Sequence, residues 1–183
     1  MKFRTSPSKM NNVQFMEKFG SIYEHSPWVA ERAWQSGITK EHDTVEIFAA
    51  LMARIVDEAE EPLKWELIAA HPDLAGKAAV KGDLTAASSS EQAGAGLGDC
   101  SPEEFAAFEK YNAAYKSKFG FPFIMAVKNS NRHDILAGFE RRLQNSKEKE
   151  FETALAEIYK IAFFILLNLN IDQFHDYDSA VAA

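Results

Sequence analysis

Along most of this chain apolar side chains return every three to four residues, and they never alternate over a convincing run. That period belongs to an α-helix with one buried face; a half-buried strand would show a period of two. Ile47/Phe48, Leu51/Met52 and Ile55/Val56 make one such face. Phe105, Phe108, Tyr111/Asn112 and Tyr115 make a second, and Leu155, Ile158, Ala162, Ile165/Leu166 and Leu169 a third. The pattern predicts an all-α fold, a helical bundle of about six to eight helices.

Helix-start signals fall where this reading needs them. Ser26-Pro27 offers an N-cap and a first-turn proline ahead of Trp28, Val29, Ala33 and Trp34. Asp43 to Glu46 has capping-box spacing, and Ser101-Pro102-Glu103-Glu104 combines a cap, an N1 proline and a Glu at N3. Glu61-Pro62 begins a helix that should end near His71, because Pro72 disfavours helix at the residue before it. Residues 131–145 and 150–169 read as two more helices. Phe121 to Val127 reads as an extended connector rather than a lone strand. No internal repeat is visible.

A length of 183 residues makes one domain the expectation, spanning 1–183 with its core at about 13–170. An apolar content of 46% with 14 Phe argues against disorder. A single cysteine, Cys100, excludes an internal disulfide framework and a multi-cysteine zinc module. A net charge of −7 argues against an extended nucleic-acid surface. Met1 to Asn12 lacks the apolar stretch of a signal peptide, and Ile161–Leu169 is far short of the ~20 residues of a membrane helix. The expectation is a soluble protein of a reducing, cytoplasmic compartment, with no nucleic-acid or membrane partner.

Between Pro72 and Ser101 lie five of the nine glycines, crowded by Ala and Ser. A long connection between strong helices is usually functional or disordered, and small residues let a backbone approach a ligand. His71 opens this region. It reads either as a cap on the last carbonyls of a helix or as an acid/base group near neutral pKa. Ser88 and Glu91 have capping-box spacing, so they read as a helix start whose N–H groups also suit an anion. Gln92 beside them can read a planar amide or ureido group. His25, His42, His133 and His175 share no metal-ligand spacing, and His71 with Asp73 lacks an obvious third ligand. Ser88 with His71 carries no nucleophile-elbow pattern, and Cys100 reads as structural.

Four segments stand in order: Phe19–Glu31, His71–Gly76, Ser88–Leu97 and Phe119–Ile124. Together they resemble the 2-oxo-4-hydroxy-4-carboxy-5-ureidoimidazoline (OHCU) decarboxylase family of uric acid degradation. The resemblance implies an all-α fold, a homodimer, and no metal or organic cofactor. It implies conversion of OHCU, a small-molecule substrate, to (S)-allantoin and carbon dioxide. It places the catalytic pair on His71 and Glu91. Substrate contacts fall on Pro72, on Ser88, Ser89, Ser90, Glu91 and Gln92, and on Phe123, Ile124, Met125, Ala126 and Val127. Backbone groups of that last stretch would read the ureido arm.

One position departs from the family. Its last helix commonly carries an Arg that points to the substrate, in an Ile-Ala-x-x-Arg-Leu pattern. Here the pattern runs from Ile161 to Leu166 with Ile165 in the Arg position. Ile supplies neither charge nor donor for a carboxylate. Either another cation compensates (Lys77, Arg132 or Arg142) or the chain is a diverged, non-catalytic binding or assembly module on the same scaffold. In the second case Phe163, Phe164 and Leu167 would face a partner. A third reading is an α-helical protein with a plain Gly-rich loop, which leaves the ordered segments as accident.

Overall fold

A computed structural model describes residues 1–74 and 100–171. Among them run seven α-helices: α1 (Asn12–Phe19), α2 (Trp28–Gln35), α3 (Val45–Asp57), α4 (Glu61–Ala69), α5 (Pro102–Phe119), α6 (Arg132–Arg142) and α7 (Lys147–Ile171). Two short 3-10 turns, Pro7–Lys9 and Lys40–Asp43, add to them. The only β feature among the described residues is an isolated bridge between Lys2 and Thr44, so the all-α expectation holds. No helix among the described residues is long and apolar enough to cross a membrane.

The helices start for local reasons, mostly the expected ones. Ser101 caps α5 through a reciprocal box: its hydroxyl accepts from the Glu104 N–H at 3.2 Å, and Glu104 accepts from the Ser101 N–H at 2.9 Å. Gly120 ends α5 at φ +85°, a left-handed turn open to glycine without strain. Asn131 caps α6 in a second box with Asp134. Two starts differ from expectation. Pro27, already helical in φ and ψ, occupies the N-cap of α2, and Ser26 makes no side-chain cap there. At α3 the N-cap is Thr44, without a side-chain cap, because the Asp43 carboxylate is taken by the N–H and hydroxyl of Ser8 at 3.0 and 2.9 Å. The helix the sequence reading does not mark is α1, capped by an Asn11–Gln14 box.

The chain divides into two compact units, Met1–Leu67 with Tyr159–Ala183, and Ile68–Ile158. The first is centred on aromatic rings. Phe15, Phe19 and Phe48 are fully buried, and with Phe3 their centroids lie 4.7–5.8 Å apart. Such pairs add about 0.5–1.5 kcal/mol each beyond the area they bury. Ile47, on the expected apolar face of α3, is instead 43% exposed, while Val45, Phe48, Leu51, Met52, Ile55 and Val56 are buried. Tyr159 donates its hydroxyl to Asp57 at 2.5 Å in the same unit.

The second unit packs α5, α6 and the start of α7 around Tyr115, Phe119, Phe121, Phe123 and Phe139. At its centre a carboxylate is buried. Glu150 has no exposed surface and accepts from Arg142 Nε at 2.7 Å, from Asn145 Nδ2 at 2.6 Å and from the Tyr115 hydroxyl. A buried charge survives only when its lone pairs are met this way.

Removing either member of this pair strands the opposite charge in the interior. Arg142→Ala or Glu150→Ala should therefore cost about 3–5 kcal/mol, out of the roughly 5–15 kcal/mol of a typical domain. Urea unfolding measures it, and a loss below about 1 kcal/mol would contradict the buried-pair account. Tyr23, Tyr115 and Tyr159 are all pushed above their ordinary 10.0, first by burial. Asp57 adds to the shift at Tyr23 and Tyr159, and at Tyr115 the opposing Arg142 charge is outweighed by burial together with Glu150. Above pH 10 the unfolded chain releases phenolic protons that the fold retains, so stability is full below that pH and falls as pH rises. Melting followed from pH 9 to 11 should show the decline, and Tyr159→Phe should make it shallower.

Candidate active site

α4 ends at Ala69, and the chain turns out through His71, whose N–H donates to the Ile68 carbonyl at 3.3 Å. His71 therefore stands just past the helix end, where Pro72 places it. Its side chain is half-buried, as are Pro72 and Asp73, while Leu74 is buried. Two residues one turn apart on α5 tie down Asp73 and Leu74. Lys116 Nζ pairs with Asp73 at 2.6 Å, and Asn112 Nδ2 donates to the Leu74 carbonyl at 2.9 Å. The Asp73 carboxylate is thus engaged by Lys116. Among the described residues no three His, Cys, Asp or Glu gather as metal ligands.

The other half of the expected catalytic pair, Glu91, lies outside the described residues, and so do Ser88, Ser89, Ser90, Gln92 and Lys77.

Phe121 to Val127 joins α5 to α6 with neither helix nor strand pairing among the described residues, in keeping with the connector reading. Phe123, Ile124 and Val127 are buried, and Met125 and Ala126 are half-exposed. The Phe123 ring stacks on Phe139 at 3.8 Å and lies under the Arg142 guanidinium at 4.4 Å. Gly138 makes room in α6: a Cβ there would stand 3.3 Å from Met125 Sδ and 3.4 Å from Phe123 Cζ. Several backbone groups expected to face a ligand are already used. The Ile124 carbonyl accepts from Arg142 Nη1 at 2.6 Å, the Ala126 N–H donates to Glu157 at 2.8 Å, and the Val127 carbonyl accepts from the Ser130 N–H at 2.9 Å. That narrows what this stretch can offer. Glu157 escaped sequence reading. Its one signal is a charge set between the buried positions Ala154, Leu155 and Ile158 of α7.

Two of the three cations considered as substitutes for an Arg at position 165 are engaged with carboxylates, while Lys77 lies outside the described residues. Arg142 is buried against Glu150, and Arg132 Nε lies 2.7 Å from Glu104. Ile165 itself is half-exposed on α7. The other described histidines take local roles: His42 Nδ1 accepts from the Thr39 N–H at 2.9 Å, His25 lies 3.6 Å from Glu24, and the His133 N–H donates to Asn131.

Comparison with known proteins agrees over most of the chain. A profile of the OHCU decarboxylase family matches residues 8–164. The 2-oxo-4-hydroxy-4-carboxy-5-ureidoimidazoline decarboxylase of Haloferax volcanii is 41% identical over 155 residues, 85% of this chain and 88% of that protein. The enzyme of the same name from Halalkalicoccus jeotgali is 38% identical over 164 residues, 90% and 89% of the two chains. A crystal structure of OHCU decarboxylase in the presence of (S)-allantoin has the same fold, with a TM-score of 0.66 at 22% identity over 87% of this chain and 98% of that one. With His71 anchored at the exit of α4 and Phe123–Val127 held against α6, the chain belongs to the OHCU decarboxylase family.

Proposed function

We propose that this chain is a carboxy-lyase that converts OHCU to (S)-allantoin and carbon dioxide, without a cofactor, in the degradation of uric acid. The observation that carries the reading is the match of the family along residues 8–164, including the segment that bears His71. In the substrate, C4 holds a hydroxyl and a carboxylate beside the ring imine at C5. The bond from C4 to the carboxylate breaks, and its electron pair moves toward the imine nitrogen. That nitrogen takes up a proton, and the resulting enol takes a second proton on one face of C5 and loses its hydroxyl proton to leave the C4 carbonyl. The substrate supplies its own electron sink, so the protein's share is orientation, shielding and proton movement.

In this reading His71 engages the hydroxyl or carboxylate on C4, and Glu91 holds the ring or ureido N–H groups and helps deliver the proton. The anchoring of Asp73 and Leu74 to α5 supports the role of His71, because a group that moves protons must be held in place. Pro72, Ser88 through Gln92 and Phe123 through Val127 complete the substrate contacts. A cytoplasmic homodimer belongs to the same reading. Phe163, Phe164 and Leu167, apolar and only half-buried on α7, suit a partner surface.

Freshly generated OHCU, followed by circular dichroism, tests the proposal. The protein should speed formation of optically active (S)-allantoin, and a rate equal to the spontaneous one would sink the enzyme reading. His71→Ala should lower the rate by about 10²–10⁴-fold, the usual share of a positioned acid/base group. Full activity in that variant would remove His71 from the mechanism. Ile165→Arg, its fold checked by melting, should lower KM about tenfold, the scale of one charge-assisted hydrogen bond to a carboxylate. An unchanged KM would mean that the substrate's anion is already met without a residue at 165.

A further inference from the structure

Met125 sits between two peptide groups that side chains hold in place. On one side Arg142 Nη1 donates to the Ile124 carbonyl at 2.6 Å, and on the other the Ala126 N–H donates to Glu157 Oε2 at 2.8 Å. The Ile124 carbonyl shares its peptide plane with the Met125 N–H. The Ala126 N–H shares its plane with the Met125 carbonyl. No peptide here is cis, and in a planar trans peptide the N–H and C=O point opposite ways. The Met125 N–H is therefore aimed away from Arg142, and the Met125 carbonyl away from Glu157. Neither has a partner among the described residues.

Arg142 cannot drift. It is buried, its Nε is bonded to Glu150 at 2.7 Å, and its guanidinium lies over Phe123. Glu157 reaches the connector from the next helix, α7, so the two holds come from separate elements. Between them the connector presents one donor and one acceptor on a single residue. An amide or ureido edge carries the complementary pair, an N–H beside a C=O.

We propose that Arg142 and Glu157 are positioning residues that set the Met125 N–H and C=O as a fixed donor–acceptor pair for a ureido or ring-amide edge of the ligand. The identity of that ligand rests on the function proposed above; the two holds on the backbone do not.

Glu157 is the better handle, because it is only half-buried while Arg142 also sustains the core. Glu157→Ala, Glu157→Gln and Glu157→Asp should be compared with the unaltered protein by amide hydrogen exchange at Ala126 and by turnover of OHCU. In the Ala variant the Ala126 amide should exchange about tenfold faster, as expected for loss of a hydrogen bond to a charged acceptor. KM should rise by a similar factor with kcat little changed, the mark of lost ground-state positioning. Gln keeps an acceptor oxygen at the same reach and should restore both values. Asp keeps the charge but withdraws the oxygen by one methylene and should behave as Ala does. Unchanged Ala126 exchange in the Ala and Asp variants overturns the proposal. So does a KM rise shared by Gln and Ala, which would make the Glu157 charge itself a substrate contact. If the unaltered protein turns over no OHCU, the proposed function falls, and the exchange results alone decide for or against the two holds.

Discussion

A carboxylate with no exposed surface must find donors, and Glu150 draws them from three parts of the second unit. Tyr115 comes from α5, Arg142 from the end of α6, and Asn145 from the turn between α6 and α7. The buried acid thereby ties α5, α6 and the first turns of α7 to one another. Desolvation makes such a group a poor source of net stability but a demanding one, because each missing partner leaves a charge in a low-dielectric interior. Arg142 passes the constraint outward: the same guanidinium that answers Glu150 fixes the Ile124 carbonyl and covers Phe123.

The candidate site inherits this order. α5 serves both of its described parts. Tyr115 reaches inward to Glu150, while Asn112 and Lys116, on neighbouring turns of the same helix, fasten the chain just after His71. α5 thus fastens the chain just after His71 directly, and it bears on the connector at Ile124 only through Glu150 and Arg142. Holding groups in place before the substrate arrives is what a cofactor-free decarboxylation asks of its protein, since the electron sink travels with the substrate.

Charge bears on that chemistry as well. The proposed substrate is an anion, and a chain of net charge −7 offers it no general attraction. Arg142 and Arg132 are both engaged with carboxylates, and Ile165 offers no donor. In the proposed function recognition falls to local groups, His71 and backbone N–H donors among them. A decarboxylase also gains nothing from binding its departing carboxylate more tightly in the ground state than in the transition state.

Every described helix but α1, and the family, could be read from the chain alone. Apolar spacing and caps act over three or four residues, so α2, α3 and α5 through α7 were legible, as were the end of α4 near His71 and the connector from Phe121 to Val127. The family itself was legible for the same reason, in short segments standing in order. Local patterns also misled where a distant group intervened. Asp43 looked like a cap for α3, but Ser8, 35 residues away in sequence, takes its carboxylate. Arg142 read as a spare cation, and Glu157 drew no reading at all. Packing alone assigns Arg142 to Glu150 and Ile124, and Glu157 to the backbone of Ala126. These bonds join residues 8 to 31 positions apart, on different elements. No periodicity encodes them, because packing chooses which donor meets which acceptor only once the helices have come together.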